Sequence, residues 1–127
     1  AVGLHAAIRY LEDVGLAAIE AHEHAITELA LARLAEVPGV RIVGPADAAA
    51  RGGVVSFAMD DVHPHDIAEI LDRHAICVRA GHHCTQPLMA RLGIPATVRA
   101  SFSLCTEPAE IDRLVDGLLD VRRVMGV

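Results

Sequence analysis

The stretch Thr97-Val98-Arg99-Ala100-Ser101-Phe102-Ser103-Leu104 alternates between polar and apolar residues. Because side chains of a β-strand point alternately to the two faces of a sheet, this pattern predicts a strand with one apolar face. We expect that face to lie on the core. Arg99 then lies on the opposite face of a rigid strand, where a guanidinium either faces solvent or binds a carboxylate through two parallel hydrogen bonds.

Three more apolar runs have the length and the flanking turn residues of strands. The first follows a Pro-Gly turn, the second ends at two aspartates, and the third leads directly into an arginine. These runs predict strands at Val40–Val43, Val54–Met59 and Ala75–Val78.

The remaining apolar residues recur mostly at helical spacing. Gly15 interrupts this spacing near the N-terminus, which indicates two helices or one kinked helix. His63-Pro64-His65-Asp66 opens another helix, a short one runs from Leu88 to Leu92, and Thr106 caps the last. The order predicts an α+β fold, a small and mainly antiparallel sheet of about four strands with helices packed on one face. The length predicts that residues 1–127 form a single domain.

Composition narrows the classes of partner. The chain has 127 residues, 53% of them hydrophobic, and a formal net charge of −6. Its only basic cluster is Arg122-Arg123, which argues against nucleic acid and anionic membrane surfaces. No apolar run reaches the length of about 18 residues that a membrane span requires. Three cysteines, an odd number, favour a cytosolic protein over a disulfide framework.

Reactive side chains are concentrated in the segment Arg79-Ala-Gly-His-His-Cys-Thr-Gln-Pro87. The thiolate is the nucleophilic form of cysteine, and nearby cations favour it. Cys84, with Arg79 and the imidazoles of His82 and His83 close in sequence, is therefore a candidate nucleophile in an ordered loop.

Two other interpretations of this loop remain open. In the first interpretation, Cys84 is a buried apolar residue beside two hydrogen-bonded histidines. In the second, two ligands of a zinc ion come from among His82, His83 and Cys84. Cys77 and Cys105 lie outside the spacings of structural zinc sites, so the sequence predicts no dedicated metal site.

The loop and the strand after it carry a family resemblance. Arg79-Ala-Gly-His-His-Cys-Thr-Gln-Pro-Leu-Met89, followed by Val98-Arg-Ala-Ser-Phe102, closely resembles SufS-type (group II) cysteine desulfurases. These are pyridoxal phosphate enzymes of aminotransferase class V. The resemblance covers essentially the whole chain, from Gly3-Leu-His-Ala-Ala-Ile-Arg-Tyr-Leu11 to Asp112-Arg-Leu-Val115. Thr85 departs from the alanine more usual at its position.

The resemblance implies a role for each residue of the loop. Cys84 attacks the sulfur of a cofactor-bound L-cysteine and keeps it as a persulfide, which leaves alanine. Arg99 matches the arginine that holds the substrate carboxylate, and Arg79 matches a second active-site arginine. His82 and His83 shape the loop and favour the thiolate. The sulfur then passes to an acceptor protein of SufE/SufU type for iron–sulfur cluster assembly.

The family's cofactor lysine lies in a preceding large domain, whereas this chain contains no lysine. The resemblance therefore implies a C-terminal small domain, with residues 1–15 as a junction helix, that binds no pyridoxal phosphate and is inactive alone. It also implies a homodimeric, cytoplasmic parent enzyme. A selenocysteine lyase, or another class V enzyme, is a close alternative. A stand-alone metal-binding or sulfur-carrier module using Cys84 is an alternative from a different class.

His63 and His65 flank a proline at a helix start and should be exposed. They are solvated turn histidines in the simpler interpretation. Some enzymes of the resembled type work with a zinc-bearing acceptor, so the other interpretation is that one imidazole, preferably that of His65, docks the acceptor by binding its zinc.

Overall fold

The computed structural model describes all residues from 1 to 127. Five helices and four strands make up the fold, with a short 3₁₀ turn at Ala48–Ala50. In chain order they are α1 (Val2–Val14), α2 (Leu16–Ala35), β1 (Val40–Val43), β2 (Val54–Met59), α3 (Pro64–Arg73), β3 (Arg79–Gly81), α4 (Gln86–Leu92), β4 (Thr97–Ser101) and α5 (Pro108–Met125). The α+β fold predicted from the sequence is confirmed.

The four strands form one antiparallel sheet in the order β1-β2-β4-β3. In this register Phe57 of β2 lies opposite Val98 of β4, and both are fully buried. The next pair along β4, Arg99 and Arg79, lies on the other face of the sheet because neighbouring residues of a strand alternate. The sheet thus has one apolar face and one face that carries guanidinium groups.

Helices α2, α3 and α5 cover the apolar face. The core that they enclose is a single cluster of 19 buried residues, in which Phe57 is the only aromatic side chain. Leucine, isoleucine and valine supply most of the rest, as the few aromatic residues of the sequence require. No helix of the chain is both long enough and apolar enough to cross a bilayer.

Gly15 separates the first two helices. Its φ of 91° and ψ of 117° leave the helical region, and a positive φ is accessible to glycine without steric penalty. The two-helix alternative is therefore the correct one. Helix α1 has no buried residue, so it contributes nothing to the core of this chain.

The predicted third strand at Ala75–Val78 is wrong by several residues. Helix α3 ends at Arg73, after which Ala75 adopts a φ of 56° and the amide of Ile76 donates to the carbonyl of Leu71 at 3.0 Å. These features terminate a helix. Because the chain must first leave that termination, the strand begins only at Arg79.

The predicted Thr106 cap is also wrong. The Thr106 hydroxyl accepts from the amide of Ser103 at 2.9 Å, within the turn that follows β4. Glu107 is the residue that caps α5, in a reciprocal capping box with Glu110. The same turn ends β4 at Ser101, three residues earlier than the sequence pattern predicted.

Gly117 generates a stability prediction. A Cβ atom added there would lie 2.6 Å from Leu71 Cδ2 and 3.0 Å from Ile76 Cδ1. Overpacking a core typically costs about 1–3 kcal/mol, whereas replacing a helical glycine by alanine gains about 0.5–1 kcal/mol. We expect Gly117→Ala to lower the free energy of unfolding by about 1 kcal/mol, as measured by urea denaturation.

Gly3 of α1 is the matched control. A Cβ added at Gly3 meets nothing within 4 Å, so Gly3→Ala should not destabilise the chain. A Gly117→Ala variant at least as stable as the parent would show that Leu71 and Ile76 can move aside freely.

Candidate functional site

A cleft of about 360 Å³ lies at the edge of the sheet, beside β3. Residues from three separate segments line it, namely the start of α3, the strand β3 with the loop that follows, and the segment before β4. They include His63, His65, Arg79, Cys84 and Pro95. The structure therefore brings the two histidines at the start of α3 into the same cleft as the loop that carries Cys84.

Cys84 lies in a tight turn. His83 and Cys84 have φ values of 52° and 61°, and the amide and the hydroxyl of Thr85 both donate to the carbonyl of His82 at 2.8 Å. Positive φ at both central positions is normally a property of glycine, asparagine or aspartate in turns. Two consecutive non-glycine residues in this region are strained by about 1–2 kcal/mol each. Such strain is concentrated at functional sites in proteins.

The side chain of Cys84 is exposed and faces a guanidinium. Nη2 of Arg79 lies 3.9 Å from Cys84 Sγ, and the cysteine itself is free. A cation next to a thiol favours the thiolate. The buried-cysteine interpretation is excluded by this exposure.

Arg79 and Arg99 are directly opposed on neighbouring strands. Directly opposed residues share a face of the sheet, and like charges in such a pair repel each other. Guanidinium groups bind carboxylates through paired hydrogen bonds. Arg79 lines the cleft and is chemically suited to bind a small anion next to Cys84, whereas Arg99 is not among the residues that line it.

His83 is the half-buried residue of the turn. Its Nε2 lies 2.9 Å from the hydroxyl oxygen of Thr97. Burial, followed by the charge of Arg99, lowers the pKa of His83 below its ordinary value of 6.5. The imidazole is therefore neutral at pH 7. Arg79, and not His83, supplies the positive charge next to the thiol, while His82 is exposed.

The two histidines of α3 have defined positions. His63 is the N-cap of the helix, and its Nδ1 accepts the amide N–H of His65 at 3.2 Å. The two exposed rings pack edge to face with their centroids 5.0 Å apart. No group of three or more histidine, cysteine, aspartate or glutamate residues in the chain is arranged to hold a metal ion.

Sequence reasoning missed Thr97. This threonine lies on the polar side of the alternating pattern, yet it is fully buried beneath the loop. No local signal marks it, because its partner His83 is fourteen residues away in the chain. The alternation alone placed it with the exposed serines of β4.

The fold, together with a loop cysteine next to paired arginines, indicates the family. The sequence model described as "Aminotransferase class-V" matches residues 1–114. The chain belongs to the aminotransferase class-V family.

Several relatives in this family are cysteine desulfurases. The chain is 57% identical over 126 residues to a probable cysteine desulfurase of Streptomyces coelicolor. The aligned region covers 99% of this chain and 30% of that protein. The apo structure of a cysteine desulfurase from Thermococcus onnurineus NA1 matches with a TM-score of 0.90 and 42% identity, over 99% of this chain and 31% of that one. The structure of the cysteine desulfurase CsdA from Escherichia coli matches with a TM-score of 0.87 and 31% identity. This match covers 97% of this chain and 30% of that one. The chain thus spans about a third of the length of these relatives.

The lowered pKa of His83 predicts a pH dependence. The unfolded chain binds a proton at His83 as the pH falls below about 6.5, whereas the folded chain binds it only at lower pH. This group therefore makes folding stability fall as the pH drops below 6.5. We expect an NMR titration of the His83 imidazole to show a midpoint below 6.5.

Unfolding of a His83→Gln variant checks the sign of the effect. The loss of stability between pH 7.5 and pH 5.5 should be smaller in this variant than in the parent, because glutamine does not titrate. A His83 midpoint at or above 6.5 would contradict the neutral imidazole.

Proposed function

We propose that this chain is part of a pyridoxal-phosphate-dependent cysteine desulfurase of SufS type, and that it supplies the nucleophile and the substrate carboxylate site. One observation carries the proposal. Cys84 projects from a strained turn within 3.9 Å of a guanidinium whose strand is paired with that of a second arginine. The desulfurase relatives that match the whole chain support it.

In the proposed reaction Cys84, as thiolate, attacks the sulfur of L-cysteine. The new S–S bond leaves a persulfide on Cys84, and the substrate's C–S bond breaks. The β-carbon of the substrate, which has lost its sulfur, takes up one proton and becomes the methyl group of alanine. This proton replaces the one that the Cys84 thiol released, so alanine and the persulfide together contain all atoms of L-cysteine and the thiol. Arg99, assisted by Arg79, holds the substrate carboxylate so that its sulfur faces Cys84.

The residues of this chain do not fit the cofactor's anchor. Pyridoxal phosphate attaches to enzymes through a lysine amine, and all eleven basic residues here are arginine. When bound, pyridoxal phosphate supplies the electron sink for the substrate carbon. We place its lysine in the rest of the parent enzyme, and we propose that the chain alone is inactive.

The proposed place of the chain in the parent is a C-terminal small domain. The apolar residues Val2, Leu4 and Ile8 of α1 are exposed, and no residue of this helix is buried. These properties suit residues 1–15 as a junction helix that packs on the remainder of a longer protein. A homodimeric parent, which acts in the cytoplasm and passes its sulfur to a SufE/SufU-type acceptor for iron–sulfur cluster assembly, completes the proposal.

The function is tested in the full-length enzyme by mutating each cysteine of this chain. Cys84→Ser should lower alanine formation from L-cysteine by about 100-fold or more, because no other group of the cleft can accept the sulfur. Cys77→Ser and Cys105→Ser are the matched controls, since both thiols are also exposed and free. Mass spectrometry should find the persulfide on Cys84.

The 127-residue chain with added pyridoxal phosphate is the negative control of this experiment and should form no alanine from L-cysteine. Alanine formation by Cys84→Ser at the parent rate would exclude the proposed nucleophile. Selenocysteine, supplied in place of cysteine, separates the desulfurase from the selenocysteine lyase alternative by the ratio of the two kcat/KM values.

His65 provides a test of acceptor docking. It is exposed on the wall of the cleft that contains Cys84. We propose that it meets a zinc-bearing acceptor, and expect His65→Ala to slow persulfide transfer by about tenfold while alanine formation without acceptor is unchanged. The helix cap survives this change because the amide of residue 65, and not its side chain, donates to His63.

His24 of α2, which is exposed and absent from the cleft lining, serves as the control for a general effect of removing an imidazole. Transfer by His65→Ala at the parent rate would remove His65 from the docking surface.

A further inference from the structure

The chain buries only two polar side chains, those of Thr27 and Thr97. The Thr27 hydroxyl donates to the carbonyl of Glu23, one turn earlier in its own helix. Thr97 differs, because its hydroxyl meets the imidazole of His83, in a loop fourteen residues away. The hydroxyl of Thr97 is therefore engaged with the loop and not with local secondary structure.

The position of Thr97 is fixed by the sheet. It lies directly opposite Gly81, the last residue of β3, and its side chain shares a face with Arg99. Beyond Gly81 the backbone pairing between β3 and β4 stops. The hydrogen bond between Thr97 and His83 continues the connection into the strained turn.

The turn needs such a restraint. Its own hydrogen bonds, from Thr85 to the carbonyl of His82, close the turn but do not attach it to the sheet. Two side-chain contacts do so, from Thr97 to His83 and from Arg79 to Cys84. The second contact is long, at 3.9 Å between nitrogen and sulfur, which leaves the first as the well-formed hydrogen bond.

We propose that Thr97 is a positioning residue which, through His83, holds the turn so that Cys84 stays next to Arg79. Its importance for catalysis rests on the proposed function of Cys84. Its effect on the thiol does not, because the reactivity of Cys84 is measurable without substrate or cofactor.

The experiment uses the full-length enzyme and iodoacetamide, with the alkylation of each cysteine followed by tryptic digestion and mass spectrometry. Cleavage after arginine places Cys84 in the peptide from residue 80 to residue 91, Cys77 in the peptide 74–79 and Cys105 in the peptide 100–113. One digest thus reports the three thiols separately, and two of them are internal controls.

Thr97→Val removes the hydroxyl and keeps the shape. We expect it to slow the alkylation of Cys84 at pH 7 by about three- to tenfold, the factor that corresponds to losing one hydrogen bond, and to shift the pH profile of the reaction upwards. Thr97→Ser, which keeps the hydroxyl, should restore both. Thr27→Val is the matched control, because it also removes a buried hydroxyl but should leave Cys84 unaffected. Cys77 and Cys105 should react at the parent rate throughout.

Each other outcome overturns the proposal. Thr97→Val with the parent rate and pH profile would show that the hydroxyl does not hold the turn. No recovery in Thr97→Ser would assign the effect to packing, and an equal effect of Thr27→Val would assign it to general loosening of the fold. If Thr97→Val fails to fold, His83→Leu removes the same hydrogen bond from the half-exposed side and must give the same slowing.

Alanine formation, measured on the same samples, separates the two proposals. Enzyme that makes no alanine, but whose Cys84 responds to Thr97 as described, would contradict the proposed function and leave the positioning role in place.

Discussion

The antiparallel pairing of β3 with β4 holds Arg79 directly opposite Arg99. Two guanidinium groups in this arrangement repel each other, so local electrostatics do not favour the pairing. Burial does, because the same register points Val98 of β4 into the core, where it is fully buried. A shift by one residue would turn Val98 towards solvent. The hydrophobic face of the sheet therefore forces the two cations together on the other face, where an anion would relieve their repulsion.

The turn with Cys84 depends on the elements at both of its ends. β3 is only three residues long and leads into the turn. On the far side the carbonyl of Thr85 accepts from the amides of Leu88 and Met89, which open α4, and Met89 is buried. A strained turn is stable only when its surroundings determine it. Here β3, α4 and the Thr97–His83 hydrogen bond together hold the turn in its strained conformation.

Local patterns were sufficient for most of the fold. Alternation and turn residues located β1 and β2, and the alternating stretch located β4, since these signals are carried by neighbouring residues. The third strand was misplaced because an apolar run after a helix is equally compatible with the termination of that helix. The sequence also suggested Cys84 and both arginines as candidates. The register of the sheet pairs the two arginines, and Arg79 contacts Cys84.

Long-range contacts could not be predicted in the same way. The histidines of α3 and the loop of Cys84 are about twenty residues apart, and only the packing of α3 beside β3 brings them into one cleft. Thr97 gave no signal at all, because its burial depends on how the loop folds over the end of the sheet. Sequence patterns carry information about residues that are close in the chain, whereas this cleft is formed by residues that are close only in the folded structure.

The imperfect hydrogen bonding of the chain is concentrated at this site. Two buried side-chain nitrogens have no hydrogen-bond partner, Nδ1 of His83 and Nε of Arg99. A buried polar group without a partner typically costs about 1–3 kcal/mol. His83 lines the cleft within the strained turn, and Arg99 lies opposite Arg79 on the neighbouring strand, whereas no buried side-chain nitrogen or oxygen of the helices lacks a partner. The unpartnered nitrogens and the strained turn are thus found together at this edge of the sheet, and the closed core of α2, α3 and α5 offsets their cost.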